Sequence, residues 1–220
     1  MKRPLVRWMV AVGLLALVVV ALAAGRTALA ANNTPGPIKQ QVNTFSFTFD
    51  MVPSTGAIKA CLPDAKGTVT ITKGSVNDEL TLHVVGLARN TGYDLFVLQV
   101  PHAPFGISWY QSDLETNPNG EGTASVRGIF NIETFSISPA TLTTKGREGN
   151  DQTGATFGAV NMYHLGLWFN DPQVPFNLGC EPGQTKPVVT PFNGEQNAGI
   201  QVLNTSNFPD NAGPLRNVPA

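Results

Sequence analysis

The stretch that decides the fold is Gly67-Thr68-Val69-Thr70-Ile71-Thr72, followed by Leu80-Thr81-Leu82-His83-Val84. Apolar and polar residues alternate strictly in both, which is the period of a strand with one buried and one wet face. Lys73-Gly74 ends the first segment and Gly86 the second, so two adjacent strands follow. The same alternation appears upstream in Phe45, Phe47 and Phe49, separated by Ser46 and Thr48. Downstream, Tyr93 to Val100 is apolar apart from Asp94 and Gln99, as a central strand covered on both faces would be, and Pro101 ends it. Ile107–Tyr110, Thr123–Phe130, Glu133–Ser138, Val160–Phe169 and Gly199–Leu203 complete the set.

No stretch after residue 30 sustains a helical period, so helices are not expected. The connectors are rich in turn residues. Asn117-Pro118-Asn119-Gly120-Glu121-Gly122 and Asn90-Thr91-Gly92 both hold residues that tolerate positive φ. Thr141–Gly158 carries four glycines and little apolar content, which reads as a long loop or a lid. Many short strands with Gly/Pro-rich loops predict an all-β, antiparallel two-sheet sandwich.

Arg7 and Arg26 bracket eighteen uncharged residues, and Ala28-Leu29-Ala30 follows. A basic start, an apolar run and a small-residue triplet form the layout of a secretory signal. Residues 1–30 are therefore expected as a signal peptide, 31–43 as a linker, 44–204 as the β domain and 205–220 as an extended tail. The alternative for the first segment is retention as an N-terminal membrane anchor. Export leaves ten basic and fifteen acidic residues, net −5, with no Lys/Arg cluster. Such a surface repels phosphate backbones, so nucleic acid is excluded as a partner. An unknown protein or a glycan is the expected partner, and no motif demands a cofactor.

Cys61 and Cys180 are the only cysteines. Outside the cytosol an even count favours a disulfide, and this pair would tie together the two ends of one domain; two buried thiols are the alternative.

Residues 67 to 126 resemble a recurrent pattern of secreted bacterial immunoglobulin-like sandwich modules. The resemblance is carried by Gly67-Thr68-Val69-Thr70-Ile71, by Leu80 to Leu87, by Thr91-Gly92-Tyr93, and by Leu114-Glu115-Thr116 ahead of Asn119-Gly120. It implies an immunoglobulin-like antiparallel β-sandwich and no particular activity. Trp109 and Trp168 lie between the cysteines, at a separation too long for the standard inter-sheet bridge of that fold.

Candidate chemistry centres on Met162-Tyr163-His164-Leu165-Gly166-Leu167-Trp168-Phe169. In a strand, His164, Gly166 and Trp168 share one face, and the glycine leaves a recess between two rings on which a sugar or peptide can stack. The alternative is that Trp168 or a neighbouring strand covers the glycine. Trp109 and Tyr110 point to opposite faces, one toward core and one toward the surface. His83, His102 and His164 offer a three-histidine metal site, with Asp113 as a further ligand, although their spacing matches no metal motif. Asp113 and Glu115 share a face, as acid–base pairs or charged edges do. Asn117, Asn119 and Glu121 add hard oxygen donors suited to calcium.

The function expected from these features is an exported, non-catalytic envelope or extracellular binding module. A carbohydrate-binding module using His164, Trp168, Trp109 and Tyr110 is the alternative, and a metal-dependent hydrolase the next.

Overall fold

The computed structural model describes residues 45–139, 157–191 and 197–220. The expected signal peptide, the linker and most of the Thr141–Gly158 loop lie outside the described residues.

Strand β1 (Ser46–Pro53) leads into a short helix, α1 (Gly56–Cys61). Then come β2 (Lys66–Thr72), β3 (Asp78–Val85), β4 (Gly92–Leu98), β5 (Ser108–Glu115) and β6 (Gly122–Gly128). A ribbon of β7 (Phe135–Pro139) and β8 (Phe157–Asn161) precedes β9 (His164–Phe169), helix α2 (Gln173–Asn177), β10 (Gln201–Asn204) and a 3₁₀ turn at Pro214–Asn217. The protein is all-β in character, as the alternation predicts.

Eight strands form one antiparallel sheet in the order β5-β4-β9-β10-β1-β2-β3-β6, which curls until it nearly closes into a barrel. Strand β1 joins its two halves. Ser46 to Met51 pair with β2, whereas Val52 and Pro53 pair with Asn204 and Leu203 of β10. The alternation read from the sequence sets the inner lining. Phe49, Val69, Ile71, Leu80, Leu82, Tyr93, Leu95, Leu165 and Leu167 all belong to one buried core. The wet face of β1, β2, β3 and β6 is a hydroxyl-rich array, in which Thr48 meets Thr70 and Thr81 meets Ser125.

The turns behave as their residues dictate. Asn117 accepts the Asn119 and Glu121 N–H groups on its side chain, and Gly120 takes φ +77°. Between β3 and β4, the fully buried Tyr93 accepts the Ala88 N–H at 3.0 Å, while Thr116 takes the Thr91 N–H at 3.0 Å and donates to the Ala88 carbonyl. Tyr93→Phe leaves that Ala88 N–H without its acceptor. It is expected to lower unfolding free energy by about 1 kcal/mol, read from the urea midpoint at unchanged m.

Four expectations need correction. Helices do occur, but at six and five residues they are too short to imprint a period; α1 is started by Thr55, whose hydroxyl accepts the Ile58 N–H. Val160–Phe169 is two strands, because the Tyr163 carbonyl takes the Leu215 N–H and the Met162 N–H goes to Thr134. The segment after Asn204 is docked rather than extended. Leu215 and Val218 are fully buried in the main core, and the Ile132 N–H is bonded to the Val218 carbonyl. Finally, Trp109 and Tyr110 both stay exposed, at 66 % and 38 %, so neither is core.

Cys61 and Cys180 form a disulfide with Cα atoms 5.2 Å apart. It links the end of α1 to the chain just after α2, across 119 residues.

Candidate functional site

Strands β4 and β9 are covered on both sides. Their inward residues fill the barrel; the outward ones, Phe96, Leu98 and Trp168, pack with Phe105 and Ala198 into a second, separate cluster. Phe105 comes from the loop between β4 and β5, where it adopts φ +61° directly after a cis Ala103–Pro104 bond. That loop is tied down from behind. The buried side-chain amides of Gln201 and Asn204 on β10 both donate to the Pro101 carbonyl, at 3.1 and 3.0 Å. The rings meet edge to face, with Trp168 5.3 Å from Phe96 and 5.0 Å from Phe105.

A cleft of about 220 Å³ opens beside these rings. Phe96, Phe105, Trp168, Pro104 and Pro191 supply its apolar surface, and Ser108 and Thr190 its hydroxyls.

The His164–Gly166–Trp168 recess is filled. A Cβ on Gly166 would lie 2.5 Å from the Trp168 ring and 2.6 Å from the Gln201 amide. Trp168 thus folds over the glycine, which fits the covering alternative for this position. Gly166→Ala is expected to lose about 1–2 kcal/mol and to displace Trp168, seen as a changed near-ultraviolet tryptophan band alongside the lower melting temperature. His164 is fully buried. Its Nε2 lies 3.2 Å from the carbonyls of Pro209 and Asp210, which only accept, so Nε2 carries the proton. Nδ1 faces the Thr205 hydroxyl at 2.9 Å. Burial holds the His164 pKa below the ordinary histidine value. Its ring is a structural tie for residues 205–210, outside the cleft lining.

Tyr110 and Asp113 are three residues apart, so a regular strand would turn them to opposite faces. A register shift removes that conflict: Leu95 pairs with Ser112 but Phe96 with Tyr110, leaving Gln111 as the extra residue. The Tyr110 ring accordingly packs 5.7 Å from Phe96, and its hydroxyl donates to Asp113 Oδ1 at 2.8 Å. Tyr110 and Trp168 therefore share one face through Phe96, with Trp168 only 4 % exposed. Trp109 lies on the other face of the strand.

Asp94, which the sequence reading passes over, faces Asp113 on β5 and Trp168 on β9. It is 2 % exposed, and its Oδ2 has no partner. Burial, then the Asp113 charge, push its pKa up to about 6. Both causes disfavour the charged form of Asp94.

The histidines are not brought together. His83 pairs with Thr123 at 3.1 Å, His102 with the Asp210 carboxylate at 3.0 Å, and His164 with the Pro209 and Asp210 carbonyls, so each ring has its own partners. The Ala103 carbonyl and then the Asp210 charge raise the His102 pKa. Among the described residues, no group of three or more His, Cys, Asp or Glu side chains is placed to hold a metal ion. Asn117, Asn119 and Glu121 are engaged in their own turn.

No family model matches the chain, and no characterised protein matches it in sequence.

Proposed function

We propose that this protein works outside the cytosol as a non-catalytic binding module, and that the aromatic cleft on the outer face of β4 and β9 is its binding surface. The observation that carries this reading is the cleft itself. Three aromatic rings and two prolines line it, in a cluster separate from the main core. The disulfide fits an oxidising compartment, and no helix among the described residues is long and apolar enough to cross a membrane. The two halves of the sheet, β1-β2-β3-β6 and β5-β4-β9-β10, face each other across the core. That supports the resemblance to exported immunoglobulin-like sandwich modules, whose quoted segments fall on β2 to β6.

The test has two arms. Expression with residues 1–30 in an exporting host should yield a secreted chain beginning at Ala31 with its cysteines paired, by intact mass. A thermal-shift screen of neutral peptides and oligosaccharides should return binders that Phe105→Ala loses. If export fails, or no compound binds in a Phe105-dependent way, the reading falls.

A carbohydrate-binding role is the second reading, favoured by the continuous row Tyr110–Phe96–Trp168, whose exposed end at Tyr110 offers a stacking ring. Oligosaccharide binding lost in Tyr110→Ala would establish it.

A further inference from the structure

A second surface lies at the edge of the sheet and meets the cleft only at Ser108. The eight-stranded sheet begins at β5, which among the described residues pairs only with β4. Of its eight residues only Leu114 is buried. Trp109 pairs with Val97, a core residue, yet is itself 66 % exposed. Tyr110, pointing to the opposite face, is 38 % exposed. Two large rings therefore flank one open sheet edge, and such an edge is a template for a further strand. The Trp109 and Asp113 carbonyls are met by side chains of β5 itself, Gln111 at 3.3 Å and Ser112 at 2.8 Å.

The charge on this edge has one sign. Asp113 and Glu115 are both exposed, and no lysine, arginine or histidine among the described residues pairs with either. Behind them Asp94, opposite Asp113 and 2 % exposed, has an Oδ2 without a hydrogen-bond partner. Burial, then the hydrogen bond to Asp113 and the charges of Asp113 and Asp94, push the Tyr110 pKa up to about 12. The Tyr110 ring thus sits in a negative potential.

These features select the occupant. A neutral strand would desolvate the carboxylates and bring no counter-charge. A second copy would bring the same Asp113 and Glu115, and like charges facing each other across strands repel. Among the described residues no group of three His, Cys, Asp or Glu is placed to hold a metal ion, which leaves an organic cation. A lysine or arginine side chain is drawn both to the face of an aromatic ring and to a carboxylate beside it. The Tyr110 hydroxyl donates to Asp113 Oδ1 at 2.8 Å, so ring and carboxylate form one unit. The bulge at Gln111 interrupts the edge, so main-chain pairing is short and the charged contacts supply most of the selectivity.

We propose that the outer edge of β5 docks an extended segment of a partner protein that carries lysine or arginine, with its main chain beside Ser108–Tyr110 and its cationic group over the Tyr110 ring, against Asp113.

The test titrates ¹⁵N-labelled full chain with end-capped Thr-Arg-Thr-Arg-Thr-Arg, and with the matching Thr-Glu and Thr-Ser hexapeptides. Trp109→Phe, at an exposed position, assigns the Trp109 indole signal. The basic peptide should shift that signal and the amides of residues 108–113 saturably, and more weakly as salt is added. Tyr110→Leu and Asp113→Asn should each weaken binding about three- to fivefold. Because Asp113 also borders the buried Asp94, Glu115→Gln removes a charge independently and should weaken binding as well. Equal affinity for the Thr-Glu or Thr-Ser peptide overturns the charge assignment. No binding of the basic peptide, or binding that leaves Trp109 and the β5 amides in place, overturns the edge itself. If raising the protein concentration alone moves Trp109, the occupant is a second copy and the proposal is wrong. Phe105→Ala should leave the peptide affinity unchanged. If it abolishes binding instead, the peptide lies in the cleft, and the edge assignment falls while the cleft reading stands. An empty cleft screen beside an intact peptide titration removes the cleft reading and supports the edge.

Discussion

Replacing Cys61 and Cys180 together by alanine is expected to destabilise the fold by as much as about 5 kcal/mol. The bond closes a loop of 119 residues, and the entropy it removes from the unfolded chain grows with the logarithm of that length. For a domain whose total stability is about 5–15 kcal/mol, this is a third or more of the whole. The connection is also one that no other covalent feature duplicates, because it reaches from α1, directly after β1, to the end of α2. Urea unfolding with and without reductant measures it. The midpoint should drop, and m should rise as the unfolded chain loses its cross-link. A loss below about 1 kcal/mol would mean that the bond constrains nothing the sheet does not already hold.

The second large effect is expected at Asp94, and it has an unusual sign. Folding raises its pKa from 3.8 to about 6, so the folded state binds this proton more tightly than the unfolded one. Its contribution is full below the unfolded value and is lost as pH climbs toward about 6. Above that, the ionised group costs about 3 kcal/mol. Asp94→Asn imitates the protonated form and still donates to Asp113. The variant should match the parent near pH 4 and exceed it by up to about 3 kcal/mol at pH 7.5. His164 acts oppositely. Its pKa is lowered on folding, so its share of stability is lost as pH falls below the ordinary histidine value. The His102–Asp210 pair is over half exposed and contributes little. In the parent the two buried groups act in opposite directions as pH changes, whereas the asparagine variant keeps only the His164 dependence, gaining stability as pH rises toward the ordinary histidine value. Equal pH profiles for parent and variant would show that folding does not raise the Asp94 pKa.

Much of the barrel was legible because alternation reports directly on a sheet with one wet face. Thr68, Thr70 and Thr72 predicted β2, and the unbroken apolar run of Tyr93 to Leu98 predicted a strand buried on both sides, which β4 is. The joining of the two half-sheets was not legible, since nothing local in β1 says that Val52 and Pro53 change partners. The site divides along the same line. Trp168 stood out as a ring beside a glycine, but its partners Phe96 and Phe105 arrive through pairing register and a loop conformation. The Pro101-His102-Ala103-Pro104-Phe105-Gly106 run was the available signal for that loop. Asp94 and Asp113 are nineteen residues apart in sequence and meet only because β4 and β5 pair in one register.

The divided loyalty of β1 also dictates an order of assembly. Its first six residues can zip onto β2 as soon as that neighbour exists, a local event with little chain to close. Its last two must wait for residues 203 and 204, the far end of nearly the whole polypeptide. The molecule is therefore built as an early meander with a late seam, and a ribosome-bound chain truncated before β10 exposes the edge that the seam would bury.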